Sequence, residues 1–174
     1  DNILLFHQQL LDDPNHRYRS WEHCYSHFQK HQSFSSEEDI DLATLHLAFY
    51  LASWGMYRGS SGLLQKDYRV HTPVVRELLD DRYTSLWQLD FDSLGARGLE
   101  MGLIFQLVKR LARIYAQVNV SPTDTLMTKI LLGTFCCVPA YDTFFTAGVK
   151  AWKELREQHE WNFPAKFGRN SYLG

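Results

Sequence analysis

An all-α fold, a single compact domain of about seven helices, is what this sequence predicts, and three observations predict it. Apolar residues recur at spacings of three, four and seven, as in Trp21, Cys24, Tyr25 and Phe28. Helix-start signals stand between such windows: Ser35 and Ser36 before Glu37-Glu38-Asp39, Thr72 before Pro73, and the run Ser121-Pro122-Thr123-Asp124. No internal repeat, low-complexity block or shift in composition divides residues 1–160, which read as one domain. Trp161–Gly174 has no clear period and reads as a partly ordered tail.

The first helix is expected over Asn2–Leu11, capped by Asp1 or Asn2, with Ile3, Leu4, Phe6, Leu10 and Leu11 apolar. Asp12-Asp13-Pro14-Asn15 is turn chemistry that stops it. Tyr18–His31 forms the second helix. Ser33–Ser36 is a polar break, and Ser35 or Ser36 caps a third helix whose first acids suit its positive end. That helix runs to about Met56, and it is apolar nearly all round from Leu42 to Trp54. Such a pattern predicts a central helix covered by neighbours. Gly55, Gly59 and Gly62 punctuate it. Thr72-Pro73 opens a helix that ends near Asp80, with threonine as cap and proline at the first position. Arg82–Gly95 reads as an ordered loop or short strand. Leu99–Val118 is a long amphipathic helix. The next carries Leu126 to about Phe135, Pro139 breaks or restarts it, and Tyr141–Leu155 is the last long helix. Leu103, Phe105, Leu107, Phe144, Phe145 and Trp152 are expected in the core, with Cys136-Cys137 as small apolar filling.

Composition narrows the function. A net charge of −2 offers no global basic field for nucleic acid. Lys109, Arg110 and Arg113 cluster on one helix, with Lys166 and Arg169 in the tail, and such clusters read as solvated faces. Cys24, Cys136 and Cys137 give neither a disulfide framework nor a zinc spacing. Reduced thiols in a cytoplasmic protein are the expectation. No apolar run approaches the roughly 20 residues of a membrane span, and no secretory signal is visible in a chain that opens on Asp1. There is no Walker sequence, Rossmann glycine pattern or GxSxG elbow, and no cofactor is expected.

Three segments carry a resemblance: Arg17–Tyr25 (RYRSWEHCY), Tyr50–Ser61 (YLASWGMYRGSS) and Leu131–Phe145 (LLGTFCCVPAYDTFF). Together they resemble a family of small, stand-alone bacterial proteins of uncharacterised activity. The resemblance implies no reaction. It does imply glycine where Cys136 stands here, which argues against a cysteine nucleophile as a shared trait.

Four constellations are candidates for chemistry. Leu45–Ser61 ends an apolar helix in polar groups, and Tyr50, Ser53, Trp54, Arg58, Ser60 and Ser61 suit an anion such as a phosphate or carboxylate. The plainer expectation there is structural, with Arg58 paired to a nearby carboxylate, for example Glu22, and the serines capping a short helix near Leu63. Arg17 and His23 fit the R-x(4–6)-H spacing of HEPN-type ribonucleases, in which arginine and histidine act on RNA without metal. Tyr18 stands where that family places a small polar residue, and the motif lies early in the chain rather than late. His23, His27 and His31, with Glu22 nearby, lie along one helical face, which reads as a surface strip rather than a zinc or nickel site. Lys129 and Asp142 resemble the lysine and aspartate of helix-hairpin-helix DNA glycosylases, although the G-x-G hairpin is absent. The plainer expectation makes Lys129 a solvent-facing residue and Asp142 a helix cap.

The favoured expectation is a binding domain. Its polar pocket would draw on Arg17, Trp21, Glu22, His23, Trp54 and Arg58 and receive a small anionic ligand or a partner segment. The alternative is an enzyme acting on nucleic acid through Arg17 and His23 or, further off, Lys129 and Asp142. A homodimer is compatible with either.

Overall fold

Seven α-helices, and no strand, form among the described residues. The computed structural model describes residues 2–31, 36–58, 61–89 and 98–159, and for residues 2, 98, 99 and 152–159 the helical backbone alone. The expected tail from Trp161, and Ser60 with Gly59, lie outside the described residues. In chain order the helices are α1 (Asn2–Asp12), α2 (Arg19–Lys30), α3 (Glu37–Ser53), α4 (Thr72–Leu78), α5 (Gly98–Gln117), α6 (Asp124–Thr134) and α7 (Thr143–His159). Short 3₁₀ helices cover Leu63–Gln65, Tyr68–His71 and Asp81–Gln88.

Local chemistry sets these boundaries. Ser36 caps α3 by accepting from the Asp39 N–H at 3.1 Å, and Glu37, Glu38 and Asp39 fill its first turn. Thr123 caps α6 by accepting from the Leu126 N–H at 3.2 Å. α3 ends in a Schellman motif: Gly55 takes φ 79°, the Met56 N–H donates to Leu51 O at 2.9 Å, and Gly55 N–H donates to Ala52 O at 3.0 Å. α5 ends the same way, with Asn119 at φ 58° and Val120 N–H donating to Tyr115 O at 3.0 Å.

The core joins five helices. Phe28 of α2, Leu47, Tyr50 and Leu51 of α3, Val75 and Leu78 of α4, Leu107, Leu111 and Tyr115 of α5, and Ile130 and Leu131 of α6 are fully buried in one cluster. α2 lies across both α3 and α6. Its polar side chains close the end of α6: Trp21 Nε1 donates to Leu132 O at 3.0 Å, and Gln29 Nε2 to Thr134 O at 3.4 Å.

Three expectations change. Residues 81–88 are 3₁₀-helical rather than loop or strand. The Asp80 carboxylate accepts from the Arg82 N–H at 3.0 Å and starts the turn, while Tyr83, Leu86 and Trp87 turn to the core. α3 is not covered all round: Leu42, Leu45 and Phe49, spaced three and four apart, form one exposed stripe. Phe144 is 86% exposed and lies outside the core. The apolar set of α1 is also largely open, with Leu10 alone buried.

Candidate functional site

The middle of α6 carries a lysine where the packing demands an apolar residue. Lys129 has Leu126, Met127, Ile130 and Leu131 around it, all buried, and it is itself buried. The expectation of a solvent-facing lysine is therefore corrected: its helix is enclosed by α2 and α3 on the side it occupies. Its ammonium reaches the end of α3 and donates to Trp54 O at 2.8 Å. It lies 3.9 Å from Asp142 Oδ2 and 5.7 Å from the centre of the Trp54 ring. Burial pushes the Lys129 amine below its usual range, the neighbouring Arg17 charge adds to this, and Asp142 and Tyr18 oppose it.

Asp142 divides its two oxygens. Oδ1 accepts from the Phe144 and Phe145 N–H groups at 3.1 and 3.0 Å, the helix-capping role expected from sequence. Oδ2 is the oxygen nearer Lys129. Thr128, beside Lys129, accepts from the Tyr141 N–H at 2.8 Å, and Thr125 donates to Tyr141 O at 2.9 Å. These two bonds fix the segment that brings Asp142 back over α6.

Aromatic rings wall the lysine. Trp54 contacts Tyr50 at 5.7 Å and Tyr18 at 5.1 Å between ring centres. Arg17 donates to the Tyr18 hydroxyl at 2.7 Å and lies over the same ring. The Trp54 indole N–H is buried and has no hydrogen-bond partner. The cluster is rich in donors: the Lys129 ammonium has three N–H groups and makes one hydrogen bond, and Asp142 at 3.9 Å is beyond hydrogen-bond reach.

The other expected site residues separate. Trp21 Nε1 is used on α6, and Tyr50 is fully buried with its hydroxyl donating to Lys129 O at 3.1 Å. Ser61 donates to Met56 O at 2.8 Å and holds the turn after α3. Ser53 is half-buried on the last turn of α3. Glu22 lies 3.9 Å from Arg19 Nε, not against Arg58, and Arg58 is exposed. Arg17 enters the field of Lys129, whereas exposed His23 enters that of His46 on α3, so no described contact joins the expected ribonuclease pair.

The histidine row also closes on α3. His27 stacks on His46 at 4.2 Å and 16°, and lies 4.9 Å from His31. Burial, helped by His46 and His31, lowers His27 to about 4, with Asp39 opposing. Stacked rings cannot aim their lone pairs at one ion, and no metal-binding group occurs among the described residues. All three cysteines are free; burial raises Cys24 and Cys136 and pushes Cys137 up to about 12, which suits packing rather than nucleophilic attack.

An open groove of about 590 Å³ lies elsewhere, beside the start of α3, with Ile40, Leu42, Leu45 and Asp41 among its walls. Two of its carboxylates are paired: Arg69 lies 3.3 Å from Asp41, and Arg76 pairs with Glu37. Tyr18 and Lys129 are the residues that the pocket expectation lacked. A sequence signal for Lys129 exists, since it is the single charge in Leu126–Gly133; Tyr18 carries none beyond its place next to Arg17. No family model matches the chain, and no curated protein or solved structure is significantly similar to it.

Proposed function

We propose that the protein is a binding domain for a small oxyanion, a carboxylate or a phosphate group, held at Lys129 between Trp54, Tyr18 and Arg17. The observation that carries this reading is the state of the Lys129 ammonium. It is buried, it makes one hydrogen bond, and its nearest carboxylate stays 3.9 Å away. A desolvated cation so weakly compensated gains from an anion that accepts its remaining N–H groups. Arg17 adds a second cation and the Trp54 indole a further unused donor.

The test is a nuclear magnetic resonance titration of the full chain with inorganic phosphate and, separately, acetate. The Trp54 indole signal is assigned by its loss in Trp54→Phe. A saturable shift of that signal is expected, absent in Lys129→Met and weakened several-fold in Arg17→Ala. No saturable shift with either anion, or an unchanged one in folded Lys129→Met, overturns the reading.

One observation favours a second reading. A lysine with a lowered pKa beside a carboxylate is the equipment of an amine nucleophile, and Asp142 Oδ2 is turned toward it. In that reading the neutral Lys129 amine attacks the sugar carbon that carries the base, the bond to the base breaks and the base leaves with its electron pair, while Asp142 steadies the cationic transition state; at an abasic aldehyde the same amine forms an imine with loss of water. Borohydride trapping on DNA containing an abasic site distinguishes the two. A covalent adduct lost in Lys129→Met supports the nucleophile, and its absence leaves binding alone.

A further inference from the structure

The Lys129 nitrogen meets a single hydrogen-bond acceptor. It donates to Trp54 O at 2.8 Å, while Asp142 Oδ2 at 3.9 Å lies beyond reach. A buried ammonium has three N–H groups and a neutral amine has two, so either form leaves donors over. A nitrogen carrying one N–H would match the site. The surroundings also favour a negative charge just past that nitrogen. The Trp54 indole N–H is buried without a partner, and the Arg17 charge reaches the lysine. Asp142 is 22% exposed, so its Oδ2 leads from the lysine to water.

We propose that Lys129 is a carbon dioxide site, where its nitrogen takes up the gas as a carbamate. The lone pair of the neutral amine attacks the carbon of carbon dioxide. One C=O electron pair moves to oxygen, and the nitrogen gives up one proton, which leaves through Asp142 Oδ2 to water. The N–H that remains stays on Trp54 O. The two carbamate oxygens carry the new negative charge, which the idle indole N–H and Arg17 offset. Other electrophiles match less well. An acyl donor gives a neutral amide, and an aldehyde gives an imine with no negative charge for those donors. The inference goes beyond the binding of an outside anion, because it concerns the neutral amine and needs no such ligand.

The test is trapping on the full chain in phosphate-free buffer. The protein is equilibrated with carbon-13 bicarbonate at mildly alkaline pH and treated with triethyloxonium ion, which converts carbamates to stable ethyl esters. Peptide mass spectrometry then locates the label, with the amino terminus as internal standard. Label on Lys129 is expected at several times the level on exposed Lys30 and Lys109. Trp54→Phe keeps the backbone carbonyl and removes the indole N–H, and should lower the Lys129 yield several-fold. A Lys129 yield no higher than that of the exposed lysines overturns the inference, as does a yield unchanged in Trp54→Phe. Failure here leaves the phosphate and acetate titration free to succeed, and label without any anion shift would uphold the carbamate alone.

Discussion

Gly133 shows how tightly single atoms are constrained beside the candidate site. A Cβ there would fall against the buried Tyr50 ring, 2.7 Å from Cδ1 and nearer still to Cε1. The ring cannot swing aside without losing the Tyr50 hydroxyl bond to Lys129 O. Gly133→Ala should therefore destabilise the protein by about 1–3 kcal/mol as overpacking, read as a lower urea midpoint at constant slope. Tyr50→Leu in the same chain should relieve most of that added cost, and additive effects of the two changes would dismiss the clash. None of this was legible beforehand, because close approach of a glycine to a ring is a tertiary fact. Lys129 was partly legible: a lone charge in an apolar helix signals burial, but where its ammonium points depends on a helix 75 residues earlier in the chain.

Among the elements, the legible ones are those whose ends carry their own chemistry. Ser36, Thr123, Asp142 and Gly55 act as the sequence leads one to expect, since caps and left-handed turns are set by neighbours in the chain. The 3₁₀ helix at Asp81–Gln88 is not legible in the sequence, because three-residue and four-residue spacings cannot be told from a loop over so short a span. The open face of α3 is illegible for another reason. Periodicity reveals an apolar face, but not whether the same chain covers it. The end of α6 yields a prediction of its own. Cys136 has φ 56°, in the left-handed region where a side chain costs about 1–2 kcal/mol. Glycine removes that cost and adds back about 0.5–1 kcal/mol of chain entropy. Cys136→Gly should thus stabilise the protein by about 0.5–1 kcal/mol, whereas Cys136→Ala should not. Equal unfolding midpoints for the two variants would show that the backbone, not the side chain, sets this turn.

At the scale of the whole molecule, the buried polar contacts make stability depend on pH. His71 is fully buried between Tyr57, 2.9 Å from Nε2, and Tyr115, 2.5 Å from Nδ1. Burial lowers it to about 4, from an ordinary value of 6.5. Between those values the unfolded chain binds a proton that the native one does not. Stability is therefore full above about pH 6.5 and falls as pH drops toward 4, by about 3 kcal/mol for this one group. His27 and His46, also lowered mainly by burial, act in the same direction, but less because both are half-exposed. Urea unfolding at pH 7 and pH 4.5 should show this loss, and His71→Gln should flatten it. A midpoint independent of pH in the parent chain would mean that the histidines titrate alike in both states. The all-α architecture itself was legible in periodicity and caps; the pairing of α2 with α3 through stacked histidines was not, since it joins residues that no local pattern relates.

The bond from Lys129 to Trp54 O has one more consequence. It uses a carbonyl at the end of α3, while the Trp54 ring packs on Tyr18, just before α2. The lysine is thus a latch between three segments as well as a receptor for charge. An anion that drew the ammonium away would also release the last turn of α3, and by reciprocity a frayed turn would free the ammonium and tighten the grip on the anion. Occupancy and local opening would then be two readings of one equilibrium, and faster hydrogen exchange at Gly55 and Met56 would report a bound ligand that never touches either residue.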